Sequence, residues 1–355
     1  MSLQQFSQTL GKRECAVLFS SVSRQYLTGF RSSDGILLVT KEKSVLFLDS
    51  RYFEMAEIAQ AKGDISSEIE LKPGGFYQYF PDFSERANIS VICFEDREMS
   101  VCELARLKEK FPNFEYRPLG DRVERMRRVK REEEIGKIHA AQSLAEAAYA
   151  YILPRIEVGR TELELAADLE YFMKCGGASG PSFDTICVSG TRSSLPHGTP
   201  TGAKLERNVF ITMDFGCKLD GYCSDMTRTV CLGKADEEMR RVYETVLSAQ
   251  LTALDVIRAG LSGKEIDKAA RDVIASAGYG ECFGHSLGHG IGLKVHEAPS
   301  FSPLYEGDIP AGAVMSVEPG IYLPGKFGVR IEDLVVVCEN GIENLNTSSK
   351  LLLEL

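Results

Sequence analysis

Two aspartates in neighbouring apolar segments are spaced as a β-hairpin would place them. Asp214 and Asp225 each interrupt such a segment, and the pair Asp220-Gly221 lies between them. An Asp-Gly pair between two strands is a strong signal for a two-residue hairpin turn. That turn pairs Asp214 with Thr227. Asp225, two residues before Thr227, therefore lies diagonally opposite Asp214 on the same sheet face, about 7 Å away. The sequence therefore predicts two carboxylates side by side on one face of a hairpin.

A cation would explain such a pair. Two ionised carboxylates in apolar surroundings lose hydration and repel each other, which is costly unless a positive charge neutralises them. Two exposed surface acids are the alternative, and for two aspartates in general it is the commoner arrangement. The flanking residues Ile211, Met213, Phe215 and Val230 favour a buried hairpin here.

The C-terminal third of the chain supplies further metal-ligating residue types. Glu318 and Glu332 interrupt apolar segments, and the glycine-rich segment 285–292 carries His285 and His289. Two Asp, two Glu and one or two His form an oxygen-rich set with imidazole, which suits Mn²⁺, Fe²⁺, Co²⁺ or Zn²⁺. Carboxylates that can bridge favour two ions over one. Each element alone is a weak signal, since a lone histidine near glycines is more often structural, but the combination is specific.

The elements that must position these residues form two similar halves. Each half has a long helical pattern, a glycine, a capping box that opens a second helix, and β-rich segments. The long helices are predicted at 132–153 and 236–257, and the capping boxes are Thr161 with Glu164 and Ser262 with Glu265. Such a repeat predicts a pseudo-two-fold domain whose hairpins meet and line one cleft.

The first third of the chain predicts a separate, small α/β domain. Short apolar runs typical of strands alternate there with helical patterns. The strands are predicted at 15–19, 35–39, 45–49 and 89–94, and the helices at 50–61 and 100–110. We place the boundary at Asp121, giving domains 1–121 and 122–355. The charged stretch 121–134 that follows is interpreted as a linker running into a helix N-terminus rather than as a nucleic-acid patch.

Composition excludes several classes of protein. The chain has 355 residues with 44% hydrophobic and 26% charged residues, typical of a globular protein of two domains. A net charge of −10 is the wrong sign for binding nucleic acid. The sequence shows neither a signal peptide nor a stretch of about 18 apolar residues, which predicts a cytoplasmic protein that does not bind membranes. The ten cysteines include no CxxC pair, and we expect reduced, small core residues.

With these residues in place, the sequence resembles the pita-bread metallopeptidases, the family of aminopeptidase P, prolidase and methionine aminopeptidase, over nearly its whole length. The motifs that carry the resemblance are Pro196-His197-Gly198, Asp214-Phe215-Gly216, 224–229 (SDMTRT), 284–292 (GHSLGHGIG), His296-Glu297, Glu318-Pro319-Gly320 and 330–333 (RIED). The segments 26–30 (YLTGF) and 49–53 (DSRYF) resemble the amino-terminal domain of the members that cleave Xaa-Pro bonds. The implied architecture is an α/β (α+β) protein in which a small domain precedes the duplicated pita-bread catalytic domain.

The resemblance also implies the site. It makes five residues the metal ligands, with Asp225 and Glu332 bridging two divalent ions: Asp214, Asp225, His289, Glu318 and Glu332. We expect Mn²⁺ first, with Co²⁺, Zn²⁺ or Fe²⁺ as alternatives, since the ligand set does not select one. The implied nucleophile is a hydroxide that the two metal ions generate, and Glu318 would receive the proton of the water.

The resemblance also implies roles for three histidines and one arginine. His197 and His296 would hydrogen-bond the intermediate and assist proton transfer to the leaving proline nitrogen. His285 would line the pocket for the proline ring. Arg330 would fix the substrate or orient carboxylates, and a purely structural ion pair is an equal alternative. His139 lies outside every motif and is assigned no function.

The expected activity is that of an Xaa-Pro aminopeptidase acting on peptides, with a homodimer as the expected assembly. A dipeptide-only Xaa-Pro dipeptidase is the first alternative. A non-catalytic peptide-binding relative, or one resembling the metal-free creatine hydrolases, is disfavoured by the intact ligand set. The length of the substrate and its preferred Xaa residue do not follow from the sequence.

Overall fold

The computed structural model describes residues 2–71 and 75–355, and the chain divides into two compact units. The first unit ends at Arg127 and the second begins at Arg128. The predicted boundary, 121/122, lies at the start of helix α6 (Arg122–Arg128), and the division of the structure lies at its end.

The first unit is a mixed β-sheet with helices, as the alternation of apolar runs and helical patterns predicts. Its elements are α1 (Ser2–Gln8), β1 (Glu14–Leu18), α2 (Ser21–Thr28), β2 (Ile36–Val39), β3 (Ser44–Leu48), α3 (Ser50–Ala61), β4 (Glu68–Leu71), α4 (Phe76–Arg86), β5 (Val91–Phe94), α5 (Val101–Lys110) and β6 (Glu115–Pro118). The strand order is β4-β3-β2-β1-β5-β6, in which β1, β2 and β3 pair antiparallel and the other pairs are parallel. Aromatic residues of α4 pack on one face, with Phe80 fully buried.

The second unit is built from two helix pairs and several antiparallel sheets. Its elements are α7 (Glu132–Ile152), α8 (Glu162–Cys175), β7 (Gly180–Pro181), β8 (Ile186–Ser189), β9 (Val209–Phe215), β10 (Cys217–Leu219), β11 (Tyr222–Cys223), β12 (Met226–Leu232), α9 (Glu237–Val256), α10 (Gly263–Ser276), β13 (Gly288–Gly290), β14 (Glu297–Phe301), β15 (Val314–Val317), β16 (Gly320–Leu323), β17 (Phe327–Arg330), β18 (Asp333–Cys338) and β19 (Gly341–Asn344). The sheet orders are β12-β9-β8, β11-β10-β7, β14-β13-β15-β18-β19 and β16-β17.

Both predicted capping boxes open helices. Thr161 accepts a hydrogen bond from the Glu164 amide and caps α8, and Ser262 does the same for α10 with the Glu265 amide. In each box the glutamate accepts a hydrogen bond from the capping residue's own amide, at 2.7 Å for Glu164. These contacts satisfy amides at the helix ends that would otherwise lack partners.

The central hairpin has the predicted register. Strand β9 pairs antiparallel with β12, and Asp214 lies opposite Thr227. Both turn residues, Asp220 and Gly221, have positive φ angles of 48° and 86°, as a type I′ turn requires. The prediction from the Asp-Gly pair is therefore confirmed.

Alternate residues of β9 face different halves of the unit. Ile211, Met213 and Phe215 pack into a core with α7 and α8, whereas Phe210 packs with α9 and the C-terminal strands. Asp214 has the parity of Phe210, so it points away from the first helix pair. This alternation is why one residue of an otherwise apolar strand faces the centre of the domain.

The β-rich segments that the sequence predicts as continuous are broken beside the acidic residues. Asp225 lies between β11 and β12, Glu318 between β15 and β16, and Glu332 between β17 and β18. At the first break a Cβ on Gly216 would overlap the carbonyl oxygen of Ser224, so glycine allows the two strands to approach there. The three acids are therefore freed from the regular alternation of a strand.

Two further observations concern membrane-spanning helices and the cysteines. Within residues 2–71 and 75–355, no helix is both long and apolar enough to cross a membrane. The ten cysteines are all free thiols, and six of them are buried. Cys102 and Cys175 are exposed, so the prediction that the cysteines are core residues is wrong for these two.

Candidate metal centre

Five acidic and histidine side chains from different strands and breaks converge on one cavity. The cavity has a volume of about 680 Å³ and is lined by the residues predicted as ligands, Asp214, Asp225, His289, Glu318 and Glu332. Asp225, His289 and Glu332 each offer a ligand atom within 4.8 Å of the others. The sequence separation between Asp225 and Glu332 exceeds 100 residues, so the fold, not local spacing, brings them together.

His289 is oriented towards two of the carboxylates. Its Nε2 lies 3.3 Å from Glu318 Oε1 and 3.6 Å from Asp225 Oδ2. Its Nδ1 is 3.1 Å from the carbonyl oxygen of Gly290, an acceptor, so Nδ1 carries a proton. The Nε2 lone pair then faces acceptor oxygens, an arrangement that requires a proton or a metal ion between them.

Glycine makes room for this histidine. A Cβ on Gly288, next to His289, would overlap the carbonyl oxygen of Ser316 on β15. The Ser316 hydroxyl accepts a hydrogen bond from the His289 amide at 3.0 Å and donates to Glu318 Oε1 at 3.0 Å. Ser316 thus links the backbone of one candidate ligand to the carboxylate of another.

Asp214 is held by an arginine. Arg330 Nη2 donates to Asp214 Oδ2 at 2.6 Å, and only 3% of Arg330 is exposed. Other Arg330 donors reach Thr227 Oγ1 at 3.1 Å, the Pro196 carbonyl oxygen at 3.2 Å and the Tyr322 hydroxyl at 2.6 Å. Because the guanidinium is so fully engaged by the protein, its contacts favour orienting a carboxylate over binding substrate.

Tyr322 extends this network to His285. His285 Nδ1 lies 2.8 Å from the Ser286 carbonyl oxygen and therefore donates to it, which leaves Nε2 to accept from the Tyr322 hydroxyl at 2.9 Å. Burial lowers the pKa of His285, which keeps its imidazole neutral. Burial also raises the pKa of Tyr322 to about 12, so its hydroxyl keeps the proton that it donates.

Two buried carboxylate oxygens have no hydrogen-bond partner within the described residues. They are Asp214 Oδ1 and Glu332 Oε1. The second oxygen of each carboxylate is bonded, to Arg330 for Asp214 and to the Thr227 hydroxyl, at 2.7 Å, for Glu332. A buried carboxylate oxygen without a partner is costly, so both atoms are suited to bind a cation.

Burial also raises the pKa values of three of the four carboxylates. Burial, reinforced by repulsion from neighbouring carboxylates, raises the pKa of Asp225 and Glu332 well above ordinary values. Burial also raises the pKa of Asp214, although Arg330 opposes this. Glu318 is the exception: burial raises its pKa, but the hydrogen bond from His289 and the positive charges of His289 and Arg330 together outweigh burial and lower the pKa to about 2.

The donor set therefore fits divalent metal ions. Four carboxylates face one guanidinium, which leaves an excess of negative charge that a divalent cation would neutralise. Carboxylate oxygens with one imidazole suit Mn²⁺, Fe²⁺, Co²⁺ and Zn²⁺. The predicted ligands Asp225, His289 and Glu332 lie within mutual reach of one ion, Glu318 adjoins His289, and Asp214 lines the same cavity with one free oxygen.

His197 and His296 also line the cavity. The ring of His296 meets that of His289 edge to face, with centroids 4.4 Å apart. Burial, reinforced by the charge of His289, lowers the pKa of His296, so its imidazole is neutral. His139 is exposed on α7, outside the residues that line this cavity.

Sequence reasoning missed Tyr322 and Gln142. The Gln142 side-chain oxygen accepts a hydrogen bond from the Asp225 amide at 3.1 Å, which fixes the backbone at the break beside that candidate ligand. The available signal was a polar residue on the apolar stripe that Ile138, Ala141 and Ala145 form along helix α7. Tyr322 carried no signal beyond its place on a short strand, because its partners Arg330 and His285 lie on other elements, 8 and 37 residues away.

The comparisons with known proteins identify the family of this chain. Residues 136–339 match metallopeptidase family M24, and residues 3–129 match the creatinase/prolidase N-terminal domain. The chain belongs to metallopeptidase family M24, which implies divalent metal ions. The α/β architecture with a small first domain and a pita-bread second domain, predicted from the sequence, is confirmed.

Three relatives are similar along almost their whole length. The chain is 36% identical to an Xaa-Pro dipeptidase of Pyrococcus furiosus over 319 residues, 90% of this chain and 89% of that protein. The structure of an Xaa-Pro dipeptidase from Bacillus anthracis superposes with a TM-score of 0.95 at 36% identity, covering 100% of this chain and 99% of the other. That of an X-Pro aminopeptidase from Thermotoga maritima MSB8 superposes with a TM-score of 0.92 at 39% identity, covering 99% and 100%.

Proposed function

We propose that this protein is an Xaa-Pro exopeptidase that uses two divalent metal ions, with Mn²⁺ as the preferred metal. The observation that carries the proposal is the cluster of Asp225, His289 and Glu332 ligand atoms within 4.8 Å of one another, beside two unpaired buried carboxylate oxygens. Divalent ions in such a site act as Lewis acids and supply a nucleophile at neutral pH. The relatives named for Xaa-Pro cleavage support the proline specificity.

The surrounding residues of this chain have distinct tasks in the proposed reaction. The Glu318 carboxylate, which accepts a hydrogen bond from the Ser316 hydroxyl, accepts the proton of the attacking water and passes it on. His197 and His296 hydrogen-bond the oxygen that becomes negative, and they assist the transfer of the proton that Glu318 took from the water to the leaving proline nitrogen. Because His296 is neutral and lies next to the cluster, its N–H can donate a hydrogen bond without adding a further positive charge.

Arg330 and Tyr322 act on these groups rather than on the substrate. Arg330 orients Asp214, and Tyr322 joins Arg330 to His285 at the cavity wall. His285 packs edge to face on Phe283, with centroids 5.0 Å apart, and presents a neutral, flat surface. Such a surface suits contact with a proline ring.

Dipeptides are the proposed preferred substrates. Two of the three relatives described above are named Xaa-Pro dipeptidases, and one of them has the higher TM-score of the two structures. Cleavage of longer peptides is the second candidate, favoured by the X-Pro aminopeptidase that is 39% identical over 99% of this chain. The homodimer expected from the sequence stays a prediction.

One assay series tests the proposal. The purified protein, loaded with Mn²⁺ or Co²⁺, is given Ala-Pro, Ala-Pro-Ala, Ala-Ala and Ala-Ala-Ala, and free alanine is measured. We expect release of alanine from the proline peptides only, with the dipeptide cleaved faster. Cleavage of Ala-Ala at a similar rate would contradict proline specificity, and faster cleavage of Ala-Pro-Ala would establish the aminopeptidase alternative.

A further inference from the structure

Two cavity histidines lie on loops, and each loop is fastened by a buried carboxylate of a different helix. His197 lies in the segment 190–201, which follows β8, and His285 lies in the segment 283–287, which precedes β13. The carboxylates are Glu162 at the start of α8 and Asp267 in α10, which are 0% and 1% exposed. Neither is among the residues that line the cavity.

The Glu162 carboxylate accepts hydrogen bonds from both ends of the His197 loop. Its Oε1 accepts hydrogen bonds from the Ser189 amide at 2.8 Å and the Ser189 hydroxyl at 3.1 Å. Its Oε2 accepts from Arg192 Nε at 3.1 Å, the Thr201 amide at 3.0 Å and the Thr201 hydroxyl at 2.9 Å. One carboxylate thus joins residues on both sides of His197.

Asp267, together with Arg271, holds the backbone of the His285 loop in the other half. Its Oδ1 accepts from the Leu287 amide at 2.9 Å, and both its oxygens accept from Arg271, at 2.8 Å and 3.0 Å. Arg271 in turn donates to the carbonyl oxygens of Phe283 at 2.9 Å and His285 at 2.8 Å. The Asp267-Arg271 pair therefore holds the backbone of His285 from both sides.

The two arrangements lie one in each half of the domain, although at different positions of the repeat: Glu162 directly follows the N-cap of α8, and Asp267 lies five residues after the N-cap of α10. Helices α8 and α10 both begin at a capping box, and each sends one buried carboxylate inward from near that end. The capping glutamates, Glu164 and Glu265, are exposed on the same helices. A buried carboxylate costs desolvation energy that an apolar residue would not, so its contacts to a single loop suggest a task beyond stability.

We propose that Glu162 and Asp267 are positioning residues, Glu162 for His197 and Asp267, with Arg271, for His285. The inference rests on the proposed function, because it gives the two histidines their tasks in Xaa-Pro cleavage. A displacement of about 1 Å in a group that acts on the substrate can lower a rate by about 100-fold. Loosening either loop would therefore reduce turnover while the metal ligands stay in place.

Glu162→Gln and Asp267→Asn test the proposal in the full-length, Mn²⁺-loaded protein. Each amide places N–H groups where the loop offers N–H donors, so we expect kcat for Ala-Pro to fall about 10- to 100-fold with an unchanged Mn²⁺ content per chain. Glu164→Ala and Glu265→Ala are controls on the same helices that each remove a capping hydrogen bond, and these should lower the melting temperature without lowering kcat. A fall in kcat as large in the controls would overturn the proposal.

A crossed set of double variants separates positioning from general destabilisation. Glu162→Gln should add less than about twofold to the loss caused by His197→Ala, but should multiply the loss caused by His285→Ala. Asp267→Asn should show the reverse pattern. Multiplication in both backgrounds would mean that the carboxylates only stabilise the fold. If Glu162→Gln does not fold, Thr201→Val removes one of its bonds and replaces it in the same set.

A readout without activity keeps this inference separate from the proposed function. Amide hydrogen exchange, followed by mass spectrometry, should accelerate in 190–201 for Glu162→Gln and in 283–287 for Asp267→Asn, with the other segment unchanged. Unchanged exchange in both segments would contradict the proposal. If wild-type protein cleaves no Xaa-Pro peptide but the exchange pattern appears, the proposed function fails while the positioning of the loops stands.

Discussion

Arg228 on β12 and Asp333 on β18 form a buried ion pair that joins the two halves of the second unit. Arg228 Nη2 lies 2.8 Å from Asp333 Oδ1, and each side chain is only 1% exposed. Arg228 also donates to the carbonyl oxygen of Glu332, and Asp333 accepts from Lys350 Nζ at 2.8 Å. The pair thus fixes the backbone of a candidate metal ligand from a position outside the cavity.

Breaking this pair should destabilise the protein strongly. Asp333→Asn leaves the Arg228 guanidinium buried without its counter-charge, which costs about 3–5 kcal/mol in free energy of unfolding. Urea denaturation measures the loss. Asp272→Asn, in the exposed Lys268–Asp272 pair, is the control and should lose about 1 kcal/mol or less. Equal losses in the two variants would contradict a structural role for the buried pair.

Glu146 should give the protein a pH-dependent stability. Although burial opposes its ionisation, hydrogen bonds from Thr347 and Ser348 lower its pKa below the ordinary value of 4.5. A lowered pKa means that the folded protein holds the ionised form more tightly than the unfolded chain does. This stabilisation is complete above about pH 4.5 and is lost as the pH falls through the lower, folded pKa.

Glu146→Gln should therefore be less stable than wild type at pH 7, by about 1–2 kcal/mol. The difference should shrink steadily as the pH is lowered below 4.5. Urea denaturation of both proteins across this range measures it. A difference that does not change with pH would show that Glu146 contributes nothing through its charge.

Tyr322→Phe should impair the reaction more than the fold. It removes the hydroxyl that joins His285 to Arg330, and leaves the ring that packs in the core. We expect kcat/KM for Ala-Pro to fall about 10- to 100-fold, as for other groups that orient a metal site. Steady-state kinetics and a melting curve are the measurements, and wild-type activity in a well-folded variant would refute the role.

Metal removal should abolish activity and destabilise the second unit. Without divalent cations the four carboxylates repel one another, so chelation should lower the melting temperature and Mn²⁺ should restore it in a concentration-dependent way. Asp225→Asn should reduce the metal content measured by elemental analysis. A chelated protein with full activity and an unchanged melting temperature would contradict a metal centre.

Local signals in the sequence determined much of this structure. The Asp220-Gly221 turn and the two-residue period of a strand are sufficient to predict the register that pairs Asp214 with Thr227. The capping boxes at Thr161 and Ser262 predict two helix starts for the same reason, because their partners lie three residues away. Acidic residues within apolar segments likewise single out the candidate ligands.

Only the tertiary structure decided how these residues meet. The breaks that free Asp225 and Glu332 from their strands, and the contacts of Arg330 with Tyr322 and Asp214, join residues from distant parts of the chain or different elements. No local pattern specifies such a contact, because it depends on how sheets and helices pack. The sequence therefore determined which side chains can bind metal, and packing determined which atoms remain unpaired to bind it.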